Sequence, residues 1–251
     1  MPRFLRYCYR LPPLLLHVLV GLPLILVLMG AWAARFSVRG ERLDHWVAGA
    51  WARLLLRIFG LRTRRFGTPL PGAVLFVANH ISWIDIIVLH SQCWMGFVAK
   101  AEIERWPLIG GVVTRAGTIY HHRGSNDSLH GVMHQMLQRL QDGLPVAVFP
   151  EGRTHSGEAV GVFHARIFQP AVLAGVPAQP VALRFGRRGE AQTLMAFGAR
   201  ESFVGNLWRV LGEPAREVEV HFLEPVPPSE DGRRKMAELC RRRIVDAMTS
   251  A

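Results

Sequence analysis

The chain has 251 residues, half of them hydrophobic, and carries a formal net charge of +11. That length fits one large α/β domain or two small ones, while a mean hydropathy of +0.18 is high for a soluble protein and points to membrane contact. Three cysteines at wide, unpatterned positions, Cys8, Cys93 and Cys240, exclude a disulfide framework and a paired-cysteine zinc site, and suit a reducing compartment.

The charge sits at the front. Residues 1–65 hold eleven Arg, no Lys, and only Glu41 and Asp44 as acids. A basic, apolar first quarter on a near-neutral body predicts attraction to an anionic membrane surface. Nucleic acid is the rival partner of any basic chain. Here the Arg residues flank apolar helices rather than interleaving with stacking aromatics, so no nucleic-acid partner is expected.

Residues 11–34 contain no Asp, Glu, Lys or Arg, with Arg3, Arg6 and Arg10 before them and Arg35, Arg39 and Arg42 after. As a helix this stretch reaches about 36 Å, against a hydrocarbon core of about 30 Å. Pro12, Pro13, His17 and Pro23 weaken a straight span. Both a span and a helix embedded in one leaflet are open, and embedding is the reading taken. A second helix is predicted over 44–61, with Val47, Trp51, Leu54, Leu55 and Ile58 at helical spacing; interfacial and core-packed placements are both open. Arg62, Arg64 and Arg65 continue the basic zone, and Thr68 to Gly72 reads as a turn.

An unbroken apolar run, Val74 to Ala78, predicts a strand buried on both faces. It delivers Asn79 and His80 to its end, where ligands sit in α/β proteins. Ser82 then reads as a helix N-cap, with a helix running from there to about His90. His80 and Asp85 are the candidate reaction pair. The turn at Ser82 lets the carboxylate reach one imidazole nitrogen and leave the other free for a proton. Ser82-x-x-Asp85 is also a capping box, in which Asp85 merely closes the helix start. The residue pattern leaves these two readings open.

Beyond it, strands are predicted at Met95 to Ala99 and Gly117 to Tyr120, the second ending at His121, His122 and Arg123. Residues 126–142 form the clearest helix. His130 and His134 on it are four apart but lack the Glu of a zinc helix, and no metal is expected. Pro145 to Phe149 is a strand, followed by a second dense polar stretch, Pro150-Glu151-Gly152-Arg153-Thr154-His155. A helix over 163–175, a strand over 179–185, a short element over 193–197, a helix over 202–211, an alternating strand over 217–222 and a final helix complete the chain. Arg241-Arg242-Arg243 on the last helix reads as a solvated face.

Four stretches occur together and in order: Asn79-His80-x4-Asp85; Gly117-Thr118-Ile119-Tyr120-His121-His122-Arg123; Phe149-Pro150-Glu151-Gly152; and Val176-Pro177-Ala178-Gln179-Pro180-Val181. This resembles the glycerolipid acyltransferase family, in particular the bacterial 1-acylglycerol-3-phosphate acyltransferases, over residues 65 to 185. The resemblance implies an α/β fold, a mixed, mostly parallel sheet flanked by helices. An N-terminal two-helix membrane-docking element at 1–62 would precede a catalytic domain at 63–251.

It implies acyl transfer from a thioester to the hydroxyl of a lysophospholipid, most simply 1-acyl-sn-glycerol-3-phosphate to give phosphatidic acid. His80 would be the general base and Asp85 its orienting partner. Arg123 would grip the acceptor phosphate, with Glu151, Gly152, Arg153 and Thr154 beside the acceptor's polar head. No cofactor is implied, since acyl-CoA or acyl carrier protein is the acyl-donor substrate. The implied place is the bacterial inner membrane, the catalytic domain facing the cytoplasm.

Two departures bear on the acceptor. The third block commonly reads Glu-Gly-Thr-Arg-Ser but here runs Glu151-Gly152-Arg153-Thr154-His155. The downstream Phe-Lys-x-Gly becomes Phe163-His164-Ala165-Arg166. A lyso-aminolipid such as lyso-ornithine lipid is the alternative acceptor, and a non-catalytic lipid-binding protein the alternative class.

Overall fold

A computed structural model describes residues 2–122, 126–228 and 231–250. Seven strands form one sheet: β1 (Leu61–Phe66), β2 (Leu75–Ala78), β3 (Gly96–Lys100), β4 (Ile119–His121), β5 (Val146–Val148), β6 (Ala178–Phe185) and β7 (Arg216–Phe222). Their order is β1-β7-β6-β2-β5-β3-β4. The five from β6 to β4 run parallel, β7 pairs antiparallel with β6, and β1 runs parallel to β7. The mixed, mostly parallel sheet expected from the sequence is therefore present.

The apolar run at 74–78 becomes the central strand because it is covered twice. Phe76 and Ala78 of β2 enter one core with α3 (Leu43–Ile58), α4 (Ile84–His90) and α9 (Phe203–Leu211). Leu75 and Val77 enter the other, with α6 (Asn126–Gln141), α7 (Gln169–Ala174) and α10 (Gly232–Thr249). Alternate side chains of a strand point to opposite faces, so a strand between two helical layers is apolar throughout.

The edge strand β1 was not expected. Arg62, Arg64 and Arg65 mark it as basic surface, yet it pairs with β7 along its whole length. Its charged side chains blunt a sheet edge that would otherwise template further pairing. The segment at 193–197 is a short helix, α8 (Gln192–Met195). The helix predicted over 163–175 is a 3₁₀ turn at Ala165–Phe168 followed by α7. Pro170 lies in the first turn of α7, where its missing N–H has no intrahelical partner to lose.

The N-terminal segment starts earlier than the apolar run suggests. Helix α1 (Arg3–Leu16) continues through a π turn at His17–Gly21 into α2 (Leu22–Leu28). Together they make 26 residues long and apolar enough to cross a membrane. The π turn falls between Pro12-Pro13 and Pro23, where the helical ladder already lacks donors. α2 packs with Val47 and Ala48 of α3 and with Ala116, just past α5 (Ile109–Arg115). α3 itself buries Leu55, Leu56 and Ile58 in the main core, so it is a body helix with one exposed face.

Arg3, Arg6 and Arg10 do not flank the helix; they lie on it, three and four residues apart. Arg3 donates to the Arg209 carbonyl at 3.0 Å, Arg6 to the Gly212 carbonyl at 2.6 Å, and Arg10 to the Leu211 and Glu213 carbonyls at 2.8 and 2.7 Å. These carbonyls lie in and just beyond the last turn of α9, at the negative end of its dipole, and that of Arg209 also accepts the Gly212 N–H at 3.1 Å. Tyr7 stacks on Trp208 at 4.5 Å beside them. Three cations read as membrane-facing thus fasten α1 to the body.

Candidate active site

The site forms where β2 and β5 end side by side. They are parallel neighbours, Val77 opposite Val148, so the residues leaving them meet at one edge of the sheet. Asn79 makes the exit sharp. Its side-chain amide accepts the Leu183 N–H at 2.8 Å and donates to the Leu183 carbonyl at 3.0 Å. The side chain thus takes over the pairing with β6, and the backbone turns away carrying His80.

The turn is closed by one oxygen. Asp85 Oδ2 accepts the backbone N–H groups of Ile81 at 2.7 Å and Ser82 at 2.9 Å, and lies 2.8 Å from His80 Nδ1. The carboxylate is fully buried. The capping and orienting readings of Asp85 are therefore one arrangement. Ser82 is not the cap: Trp83 holds the N-cap position without a side-chain bond, and the Ser82 hydroxyl points to Asn206 Oδ1 at 3.4 Å.

Because Asp85 Oδ2 already receives two N–H groups as an acceptor, Nδ1 of His80 carries the ring proton. Nε2 keeps its lone pair and has no protein hydrogen bond among the described residues. The imidazole is held flat on Phe149, centroids 3.9 Å apart and planes 13° apart.

The third block braces the same turn from the β5 side. Glu151, 4% exposed, accepts the His80 backbone N–H at 2.7 Å through Oε1 and the Gly161 N–H at 2.7 Å through Oε2. His155 Nε2 lies 3.4 Å from that second oxygen, and the His155 N–H donates to the His80 carbonyl at 2.9 Å. Burial lifts the Glu151 carboxyl above its ordinary range, against the hydrogen bonds from Gly161 and His80 that pull it down.

Gly152 adopts φ +71°, a left-handed turn in which its N–H closes onto the Phe149 carbonyl at 3.0 Å. Arg153 is exposed and Thr154 half-buried on the loop that follows. Arg123 lies outside the described residues. A cavity of about 310 Å³ opens behind the loop, lined by Asn79, Ile81, Glu151, Val160, Arg188 and Arg241. Arg241 donates to the carbonyls of Gly161 and Val160 at 2.7 and 2.8 Å, so it is not simply a solvated face.

Three contributors were not singled out from the sequence. His155 sits inside the polar block, whose density was the available signal, and Phe149 ends the strand that leads into it. Asn206 gave none. It is fully buried on α9, accepts from Trp83 Nε1 at 2.9 Å, and donates to the Ala196 carbonyl at 3.1 Å and Glu201 at 2.9 Å. It links the turn that carries His80 to the helix that α1 grips.

Comparison with known proteins bears on this arrangement. A family model described as Acyltransferase matches residues 62–184. A lyso-ornithine lipid O-acyltransferase of Pseudomonas aeruginosa is 32% identical over 81% of this chain and 77% of its own length. A 1-acyl-sn-glycerol-3-phosphate acyltransferase of Neisseria gonorrhoeae is 34% identical over 65% of this chain and 64% of its own length. Among solved structures, the 1-acyl-sn-glycerophosphate acyltransferase of Thermotoga maritima superposes with a TM-score of 0.74, covering 99% of this chain and 97% of that one. At 18% identity it speaks for the fold.

Proposed function

This chain belongs to the acyltransferase family, and we propose that it transfers a fatty acyl group from an acyl thioester to the free hydroxyl of a lysophospholipid. The observation that carries the mechanism is the contact of His80 Nδ1 with Asp85 Oδ2 at 2.8 Å, which leaves Nε2 as a base. The acceptor hydroxyl gives its proton to Nε2 as its oxygen attacks the thioester carbonyl carbon. The tetrahedral adduct expels the thiolate, which takes the proton from Nε2 and leaves as a thiol. Asp85 stabilises the imidazolium between these steps. The scheme uses no acyl-enzyme and no cofactor; acyl-CoA or acyl carrier protein is a substrate.

In this reading Arg123 grips the acceptor's phosphate. Arg153 and Thr154, beyond Glu151 and Gly152, line its polar head. The acceptor taken first is 1-acyl-sn-glycerol-3-phosphate, with phosphatidic acid as product. A lyso-ornithine lipid is the second reading. It is supported by the Pseudomonas relative, which matches more of the chain than the Neisseria one. The run Arg153-Thr154-His155, in place of the Thr-Arg-Ser common in the family's third block, leaves room for an acceptor other than lysophosphatidic acid.

The membrane reading is one-leaflet docking on the cytoplasmic face of the inner membrane. Support comes from α1 being held by α9 while α2 is held by α3 and α5, so both halves lie along the body. Their outward side exposes Phe4, Leu16, Leu19 and Val27. Val204 and Trp208 of α9 are exposed alongside, as are Trp106 and Leu108.

The test is an acyl-transfer assay on purified protein, offering acyl-CoA and acyl-loaded carrier protein with each lysolipid and detecting products by mass spectrometry. Product from lysophosphatidic acid supports the first reading. Product only from lyso-ornithine lipid replaces it with the second. No product from either, with the protein folded, removes both.

A further inference from the structure

A second feature lies away from His80, between the N-terminal helix and the sheet edge. A cleft of about 600 Å³ is walled by Arg10 of α1, Arg53 and Arg57 of α3, and Arg62 of β1. β1 is three strands from β2, about 14 Å across the sheet, so the cleft is separate from the catalytic turn. Like-charged guanidinia around one cleft repel unless an anion sits among them. Among the described residues none of the four has a carboxylate within 4.0 Å. Arg10 is satisfied by carbonyls and Arg53 donates to the Ser91 carbonyl at 3.1 Å. Arg57 and Arg62 are exposed and have no protein hydrogen bond among the described residues.

We infer that this cleft binds the phosphate of an anionic phospholipid and is the specific contact between the protein and the bilayer. The guanidinium fork matches phosphate oxygens in pairs. The choice of a lipid over a soluble phosphate rests on the rim. Tyr9, half exposed, lines the cleft beside the arginines, and exposed apolar residues follow it along the N-terminal segment at Leu15, Leu16 and Leu19. A lipid with its head group among the arginines can lay its chains along these residues. The nucleotide end of coenzyme A carries the same phosphate chemistry but has no use for an apolar rim. The inference deepens the membrane reading, on which it rests, and does not depend on which acceptor is acylated.

The experiment is flotation of the full chain with phosphatidylcholine vesicles and with vesicles containing phosphatidylglycerol, alongside calorimetric titration with free coenzyme A. The cleft variant is Arg57→Gln/Arg62→Gln. The charge-matched control, Arg234→Gln/Arg242→Gln, alters exposed positions of α10 on the opposite face of the sheet. The native chain and the control should prefer phosphatidylglycerol vesicles. The cleft variant should lose about thirtyfold of that preference, the loss that two guanidinia at an anionic surface account for, and still float with phosphatidylcholine. Equal preference in native chain and cleft variant overturns the inference. So does coenzyme A binding that disappears in the cleft variant while its lipid preference stays. Failure of the native chain to float with either vesicle instead overturns the membrane reading itself.

Discussion

The backbone N–H of His80 donates to the Glu151 carboxylate at 2.7 Å, so the peptide carrying the imidazole is fixed by a side chain arriving from the neighbouring strand. The other carboxylate oxygen holds Gly161. Glu151→Gln keeps the shape but offers one acceptor oxygen where two are used. The expected result is a fall in kcat of about a hundredfold, the scale of a small misplacement of reacting groups. KM for the acyl donor should stay near its native value. Initial-rate kinetics check it, and an unchanged kcat would show that Glu151 does not position His80.

Asp85 should fail in two ways at once, since its Oδ2 both closes the turn and faces His80. Asp85→Asn places an NH₂ or a weaker acceptor against three donors. Stability should fall by about 1–3 kcal/mol, as for a buried hydrogen-bonding group left unsatisfied. kcat should fall by about a hundredfold or more. His80→Ala should abolish turnover with a smaller stability loss, because its ring makes one hydrogen bond and one stacking contact. Urea titration and rate measurements on the same preparations separate the two losses. Native-like turnover in His80→Ala would remove the base mechanism.

Much of this site could be read in the chain because its parts are local. Asn79, His80 and Asp85 lie within seven residues, and an apolar run such as Val74 to Ala78 has few uses other than a strand covered twice. What escaped was set by distant partners. The acceptors of Arg3, Arg6 and Arg10 lie some two hundred residues away on α9, and no periodicity reports a carbonyl at that distance. Arg62, Arg64 and Arg65 look like surface because they are surface; only pairing with β7 makes them a strand. Asn206 sits in a helix where nothing about its neighbours marks it as buried.

Asn206 yields a test of coupling between the catalytic turn and α9. Trp83→Phe deletes the Nε1 donor to Asn206 Oδ1 and keeps the ring packed against Phe59 and Phe203. Asn206→Ala removes the acceptor and also the bonds to Ala196 and Glu201. Trp83→Phe should cost about 1 kcal/mol and Asn206→Ala more. Both should lower kcat severalfold with KM unchanged. A purely structural role predicts the stability losses with kcat intact.

Acid should loosen the fold in a defined window. Burial pushes His90 from 6.5 down to about 4, and its Nδ1 is shut off from solvent without a partner. Burial likewise holds His45 at about 4, with Asp44 opposing, in a stack on Trp94 at 4.2 Å. A depressed histidine contributes stability above its unfolded pKa, and that stability is lost as pH falls through the folded value. Unfolding free energy should therefore be flat above pH 7 and fall between about 6.5 and 4, by on the order of 3 kcal/mol for each histidine. His90→Gln should flatten part of that slope. Glu201, held down to about 2 chiefly by its hydrogen bond with Arg209, loses its contribution only below its ordinary 4.5. Losses in the two ranges thus have different owners, and urea titrations at stepped pH distinguish them.

The arginines of α1 predict a gradient of effects along one helix. Arg3 reaches Glu213 at 3.2 Å with half its side chain in solvent, so Arg3→Ala should change stability by about 0–1 kcal/mol. Arg10 is 2% exposed and serves the carbonyls of both Leu211 and Glu213. Arg10→Ala takes the donor from both carbonyls, of which the Leu211 one is buried, and should cost about 1–3 kcal/mol. Because α1 rests on α9, and α9 holds Trp83 through Asn206, the same change should also lower turnover even though Arg10 touches no substrate. Comparing Tm, protease cleavage within 3–28, and kcat for the two variants tests the chain of contacts. If Arg10→Ala frees the helix to protease while kcat holds, α1 anchors the protein without steadying its active site.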